Sequence, residues 1–165
     1  MADITLGGNP AHTNGDLPQK GTKAPAFTLT KSDMSRLSSD EFAGHNVVLN
    51  IFPSVDTGVC SASVREFNKR AAELDNTTVV CVSADLPFAQ ARFCGAEGIE
   101  NVVMGSAFRN REFLSDYGVE LVDGGFKGLA ARAVVVTDGE GTVLHTQLVP
   151  EIGEEPDYDA ALSVL

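Results

Sequence analysis

The spacing of apolar residues changes period along the chain, and those changes divide it into strands and helices. Val47-Val48-Leu49-Asn50-Ile51-Phe52 is a continuous run of strand length, stopped by Pro53, and reads as a central strand covered on both faces. Beyond it, Val64, Phe67, Ala71 and Leu74 recur every three or four residues, which makes one helical face with Cys60 at its beginning. Thr77 to Ser83 is a second, strongly β-branched strand. Asp85-Leu86-Pro87 then opens a helix, since proline is tolerated in a first turn, and that helix runs through Phe88, Ala91 and Phe93 to Gly95 or Gly98.

Shorter signals complete the outline. Ile4-Thr5-Leu6, followed by Gly7-Gly8-Asn9-Pro10 and another short run, predicts an N-terminal β-hairpin. Phe27 to Thr30 reads as a strand, and Ser38 to Phe42 as a capped short helix ending at Gly44. Asn101 to Met104 reads as a third strand, and Arg111 to Tyr117 as a short helix closed by Gly118. Ala133–Thr137 and Thr142–Leu148 flank Asp138-Gly139-Glu140-Gly141, a hairpin signal, and Asp157 to Leu165 finishes as a helix. Strand and helix alternate and a hairpin follows, so the expected class is α/β, with a mixed central sheet. The 165 residues suit one domain, spanning 1–165.

Composition narrows the function classes. Hydrophobic residues make up 43% and charged residues 21%, a globular balance. A net charge of -11 repels phosphate backbones and anionic membranes, so neither nucleic acid nor membrane is an expected partner. The N-terminal stretch lacks a basic start and an apolar core, which is unlike a signal peptide. The expected location is the cytoplasm, with the periplasm as the alternative. In a reducing cytosol a disulfide is more often catalytic than structural.

Cys60, Cys81 and Cys94 are odd in number and contain no C-x-x-C pair, which argues against a zinc ribbon and against a thioredoxin-type redox motif. His12, His45 and His145 have no metal-ligand spacing and read as surface or loop residues, so no metal is expected. Cys81, inside Val79-Val80-Cys81-Val82, should be inert core. Cys60 differs, because it joins the end of a buried strand to the start of a helix. A thiol there meets free backbone N–H groups and the positive end of the helix dipole, surroundings that favour the nucleophilic thiolate. Thr57 can bring a hydroxyl beside the sulfur, and Pro53 restricts the loop and can shield it from water. Taken alone, Cys60 could equally be a small residue packing a helix start.

The wider text adds a resemblance. P-x-x-x-T-x-x-C, here Pro53, Thr57 and Cys60, is the active-site signature of peroxiredoxins. LNIFPSVDTGVC, SADLPFAQARFCGAEG and KGLAARAVVV resemble the bacterial thiol peroxidase subfamily, over almost the whole chain. The resemblance implies a thioredoxin-like fold in its peroxiredoxin variant. It implies an atypical two-cysteine scheme without a cofactor, with Cys60 peroxidatic, Cys94 resolving and an intrachain Cys60–Cys94 disulfide between them. Pro53, Thr57 and Arg132 complete the implied site. It further implies hydrogen peroxide and alkyl hydroperoxides as substrates, thioredoxin as reductant, a homodimer and a role in antioxidant defence.

The local text of Arg132 agrees, since Leu129-Ala130-Ala131-Arg132-Ala133-Val134-Val135 is an apolar setting where a charge needs a partner. A solvated edge-strand arginine is the alternative. Because the two reactive cysteines fall on separate predicted helices, Cys60 should stand open to peroxide. Both helices should then unwind locally to bring the sulfurs together. Three other readings remain at this point: a protein disulfide oxidoreductase, a peroxide sensor that passes its oxidation to a partner, and an acidic binding module with incidental cysteines.

Overall fold

Asp3–Leu6 (β1) and Asn9–His12 (β2) pair antiparallel across Gly7-Gly8, giving the expected hairpin at the start of the chain. The computed structural model describes residues 1–165. Thr28–Thr30 (β3) and Arg36–Ser38 (β4) form a second small hairpin, followed by a 3₁₀ turn over Ser39–Phe42. The Glu41 carboxylate accepts the Ser38 backbone N–H at 2.7 Å, which caps the start of this turn.

Next come Asn46–Ile51 (β5), the fourteen-residue helix Gly58–Ala71 (α1), Thr77–Ser83 (β6) and Pro87–Glu97 (α2). Val103–Ser106 (β7), Glu112–Asp116 (α3), Ala133–Thr137 (β8), Val143–Leu148 (β9) and Tyr158–Leu162 (α4) complete the chain. The main sheet has seven strands in the order β4-β3-β7-β6-β5-β8-β9. β5, β6 and β7 are parallel, while β8 pairs antiparallel with β5 and β9 with β8 on one side, and β3 pairs antiparallel with β7 and β4 with β3 on the other. This is a mixed-sheet α/β architecture of the thioredoxin-like kind.

Residue alternation along the central strands builds a core on each face of the sheet. Val48, Val79, Cys81, Val134 and Val136 pack against α1, α2 and α4 through Val64, Phe67, Phe93 and Ala161. Val47, Leu49, Ile51, Val80, Val82 and Val135 face the other way, against Phe27, Phe113, Leu114 and Tyr117. A third cluster of Ile4, Ala11, Leu121, Ala131 and Ile152 ties the N-terminal hairpin to the segment before β8. No helix is long and apolar enough to cross a membrane.

Differences from the sequence reading lie at element ends. The third strand sits two residues later than expected and includes Gly105, where an added Cβ would approach Leu29 Cδ1 to 2.8 Å. A glycine inside that strand masked it from a propensity reading. β4, three residues long, carried no periodic signal. The C-terminal helix covers only Tyr158–Leu162. His12 and His145 stand in strands rather than loops, His12 held by Asp123 at 2.7 Å and raised in pKa chiefly by that hydrogen bond.

Candidate active site

β5 ends where Pro53 lacks the N–H needed to continue the ladder, and the chain turns through Ser54–Thr57 into α1. Thr57 occupies the N-cap position with extended backbone, φ -101° and ψ 144°. Cys60 therefore lies in the first helical turn, where backbone N–H groups lack intrahelical partners. The Thr57 hydroxyl donates to the Ser54 carbonyl at 3.1 Å, and the Thr57 N–H donates to the same oxygen at 3.2 Å.

Cys60 is 0% exposed, and Pro53, at the other end of the same loop, is buried as well. This corrects the expectation of an open sulfur. The sulfur is enclosed, because Phe52, Val55, Val64 and Phe67 pack around the strand-to-helix turn. Such packing fixes the sulfur in place.

Arg132 immediately precedes β8, 2% exposed, and reaches the same pocket from the neighbouring strand. Its Nη2 donates to Cys60 Sγ at 3.2 Å. Its Nε and Nη2 also donate to the Ile152 carbonyl at 3.0 and 2.8 Å, which fixes the plane of the guanidinium. Nη1 is buried and has no partner. No carboxylate accepts from this side chain. A buried cation with one free donor edge is costly unless an anion or a strong acceptor shares the pocket.

The other two cysteines occupy different environments. Cys81 is wholly buried in β6, and burial pushes its thiol up to about 12, against a smaller lowering by the Asn50 amide at 3.6 Å. Cys94, in the second half of α2, is half-buried against the same core, and burial raises its thiol as well. All three cysteines are free thiols, and both helices are intact around them.

Several polar groups at the site were not singled out from sequence. Asp85 accepts hydrogen bonds from the loop preceding Cys60, and Asn50, wholly buried, donates to Ser63 Oγ at 3.3 Å, whose own hydroxyl donates to the Cys60 carbonyl at 2.8 Å. Asp85 had a visible signal, being an acidic residue after a buried strand, but its place before Leu86-Pro87 suggested only a helix start. The Ile152 contact is a backbone carbonyl, and no side-chain pattern announces it.

Comparison with known proteins places the chain in one family. The Redoxin family profile matches residues 19–162. A thiol peroxidase of Mycobacterium tuberculosis is 59% identical over 165 residues, 100% of this chain and 99% of the relative, and one of Mycobacterium bovis matches to the same extent. Among solved structures, a peroxiredoxin-like protein from Aquifex aeolicus has a TM-score of 0.92 at 38% identity, covering 99% of this chain and 96% of that one. A thiol peroxidase from Chromobacterium violaceum gives the same TM-score at 21% identity, covering 99% and 95%, which speaks for the fold alone. The fold is that of the Redoxin class, and within it the chain belongs to the thiol peroxidases, enzymes of the peroxiredoxin type.

Proposed function

We propose that this protein reduces hydrogen peroxide and alkyl hydroperoxides with Cys60, stores the oxidation as an intrachain Cys60–Cys94 disulfide, and is returned to the dithiol by thioredoxin. The observation that carries the reading is the Arg132 guanidinium, 3.2 Å from the Cys60 sulfur with Nη1 unpaired. One donor edge serves the sulfur and the other is free to serve a peroxide oxygen.

In the first step the Cys60 thiolate attacks the terminal peroxide oxygen. The S–O bond forms as the O–O bond breaks, sulfur gives up two electrons, and the departing alkoxide or hydroxide takes a proton to leave as alcohol or water. Negative charge shifts from sulfur onto the two oxygens as this happens. Arg132 and the first-turn N–H groups of α1 are preorganised donors for that charge. The Thr57 hydrogen is committed to the Ser54 carbonyl, so its oxygen presents lone pairs and accepts the peroxide O–H.

In the second step the Cys94 sulfur attacks the Cys60 sulfenic acid, forming the S–S bond and releasing water. A dithiol reductant then opens the disulfide by exchange. For Cys94 to arrive, the first turn of α1 and the second half of α2 have to open. Supporting features are the exposed run Gly95–Gly98 and the left-handed cap at Gly98, φ 65°, where the helix already ends. The same reading takes residues 1–165 as one domain working in the cytoplasm as a homodimer.

The test is thioredoxin-coupled consumption of hydrogen peroxide and cumene hydroperoxide. Cys60→Ser should abolish both, and Cys81→Ser should leave both near the wild-type rate. Full activity in the Cys60 variant would refute the mechanism.

A further inference from the structure

The loop that carries Thr57 is held from one side by a single carboxylate. Asp85, at the end of β6, accepts the Ser54 hydroxyl on Oδ1 at 2.7 Å. Its Oδ2 accepts the Val55 N–H at 2.9 Å and the Ser83 hydroxyl at 2.5 Å. Behind it, the Ser106 hydroxyl donates to the Asp85 carbonyl, and the buried Gln90 amide donates to Ser83 Oγ at 3.1 Å and to the Gly105 carbonyl at 3.2 Å. The carboxylate is thus braced by β6, β7 and α2 together. Ser54 passes the constraint on, accepting the Asp56 N–H on its Oγ at 3.1 Å and both Thr57 donors on its carbonyl.

We infer that Asp85 is a positioning residue for peroxide reduction: its carboxylate fixes Ser54, and through the Ser54 carbonyl it sets the direction of the Thr57 hydroxyl. Three donors converge on the two oxygens, and a carboxylate is the acceptor-only group that satisfies all of them. An amide in its place turns one acceptor into a donor that faces another donor. With Ser54 no longer fixed, its carbonyl would lose a defined direction, the Thr57 hydroxyl would spread over several orientations, and only part of the population would present lone pairs to the peroxide. Arg132 reaches the sulfur from β8 by an independent route, so the sulfur itself keeps its setting.

The inference rests on the role proposed above for Thr57, and the experiment separates the two. Peroxide reaction rates are measured by stopped flow for Asp85→Asn, Thr57→Val and the double variant, beside alkylation of Cys60 by iodoacetamide, which needs the sulfur but not Thr57. Asp85→Asn is nearly isosteric, and its fold is to be checked by circular dichroism. The peroxide rate should fall on the order of 10- to 100-fold, the loss expected for misplacing a catalytic group by about 1 Å. Alkylation should stay within about twofold, and the double variant should lose no more than Thr57→Val alone, within the same margin. An unchanged peroxide rate in Asp85→Asn beside a loss in Thr57→Val overturns the inference and leaves the proposed chemistry standing. Losses that multiply in the double variant, or an equal fall in alkylation, overturn it as well. No loss in either single variant overturns the role of Thr57 itself, and with it this route.

Discussion

Cys60 and Cys94 pack against one core yet are held in opposite ways. Around Cys60 the chain is tied from three directions: Arg132 from β8, Asp85 from β6, and Ser63 with Asn50 beneath the helix. α1 continues for fourteen residues and sinks Val64 and Phe67 fully into the core. Around Cys94 the ties are few. α2 is anchored at its start by buried Pro87, Gln90 and Phe93, whereas residues 95–98 are all exposed. The links from α2 across to α1 and its loop include two surface ion pairs, Arg92–Asp56 at 2.9 Å and Arg65–Glu97 at 3.3 Å. Exposed pairs of this kind contribute about 0.2–1 kcal/mol each. The contrast fits a division of labour in the proposed cycle, in which one thiol needs a preorganised setting for charge transfer and the other needs freedom to travel.

The strongest way to break the comparison is to remove the travelling partner. Cys94→Ser should still consume about one equivalent of peroxide, then lose turnover with thioredoxin and drift to sulfinic acid under excess oxidant, as read by mass spectrometry. In the wild type, one equivalent should give a monomer-sized band on non-reducing gels and raise hydrogen exchange at 57–64 and 90–98, with β5 and β6 unchanged. A covalent dimer joining Cys60 of one chain to Cys94 of another would move resolution between chains and end the intrachain scheme. Next in size is the fixed side. Arg132→Met should slow sulfenate formation on the order of 10²–10³, the range found when one preorganised donor is removed, and stopped-flow kinetics with hydrogen peroxide would measure it. A rate within a few-fold of wild type would mean that the 3.2 Å contact is structural packing.

How much of this could be read beforehand follows the same contrast. Thr77–Ser83 matched its strand without a shift, and the continuous run ending at Pro53 marked the central strand to within one residue at each end, because buried strands impose period and length on their own sequence. The loop motif located Cys60 and Thr57 because the chain is continuous there. Closure of the pocket over Cys60 was not legible, since it depends on side chains brought together from separate elements. Asp85 and the Ile152 carbonyl were hidden for a similar reason: one was read for its local helix-start signal, and the other acts through backbone, to which the sequence is nearly blind.

A smaller effect tests the loosely held side. Arg92 is exposed, as is its partner Asp56 in the active-site loop, with side chains 64% and 65% accessible. The pair bridges the two segments that rearrange in the proposed cycle. Arg92→Ala should leave the peroxide reaction unaltered and speed disulfide formation by no more than about fivefold, the ceiling for a surface pair. Quenched-flow mass spectrometry that follows sulfenate decay would give the number. Slower closure would show that the pair guides the rearrangement instead of restraining it.

The smallest effect belongs to Glu151, which steadies the rigid side from a distance. Its carboxylate accepts the Gly8 N–H at 2.8 Å, the Gly153 N–H at 2.7 Å and the Thr5 hydroxyl at 3.0 Å, and those bonds lower its pKa from 4.5 to about 2. The bonds clip the N-terminal hairpin to the segment whose Ile152 carbonyl orients Arg132. Because the folded-state value lies below the unfolded one, the carboxylate's contribution to stability is present above about pH 4.5 and disappears as pH falls toward about 2. Glu151→Gln should therefore be less stable than wild type at neutral pH, with the difference shrinking steadily over that acidic window. Urea unfolding at several pH values would trace it. The group still reaches solvent, so salt should weaken the difference. The peroxide rate of the variant should fall far less than that of Arg132→Met, since Ile152 is also held by its N–H to the Thr5 carbonyl at 2.9 Å. A stability gap that stays constant from neutral pH to about pH 2 would show that the Glu151 charge is not what fastens the hairpin to Ile152.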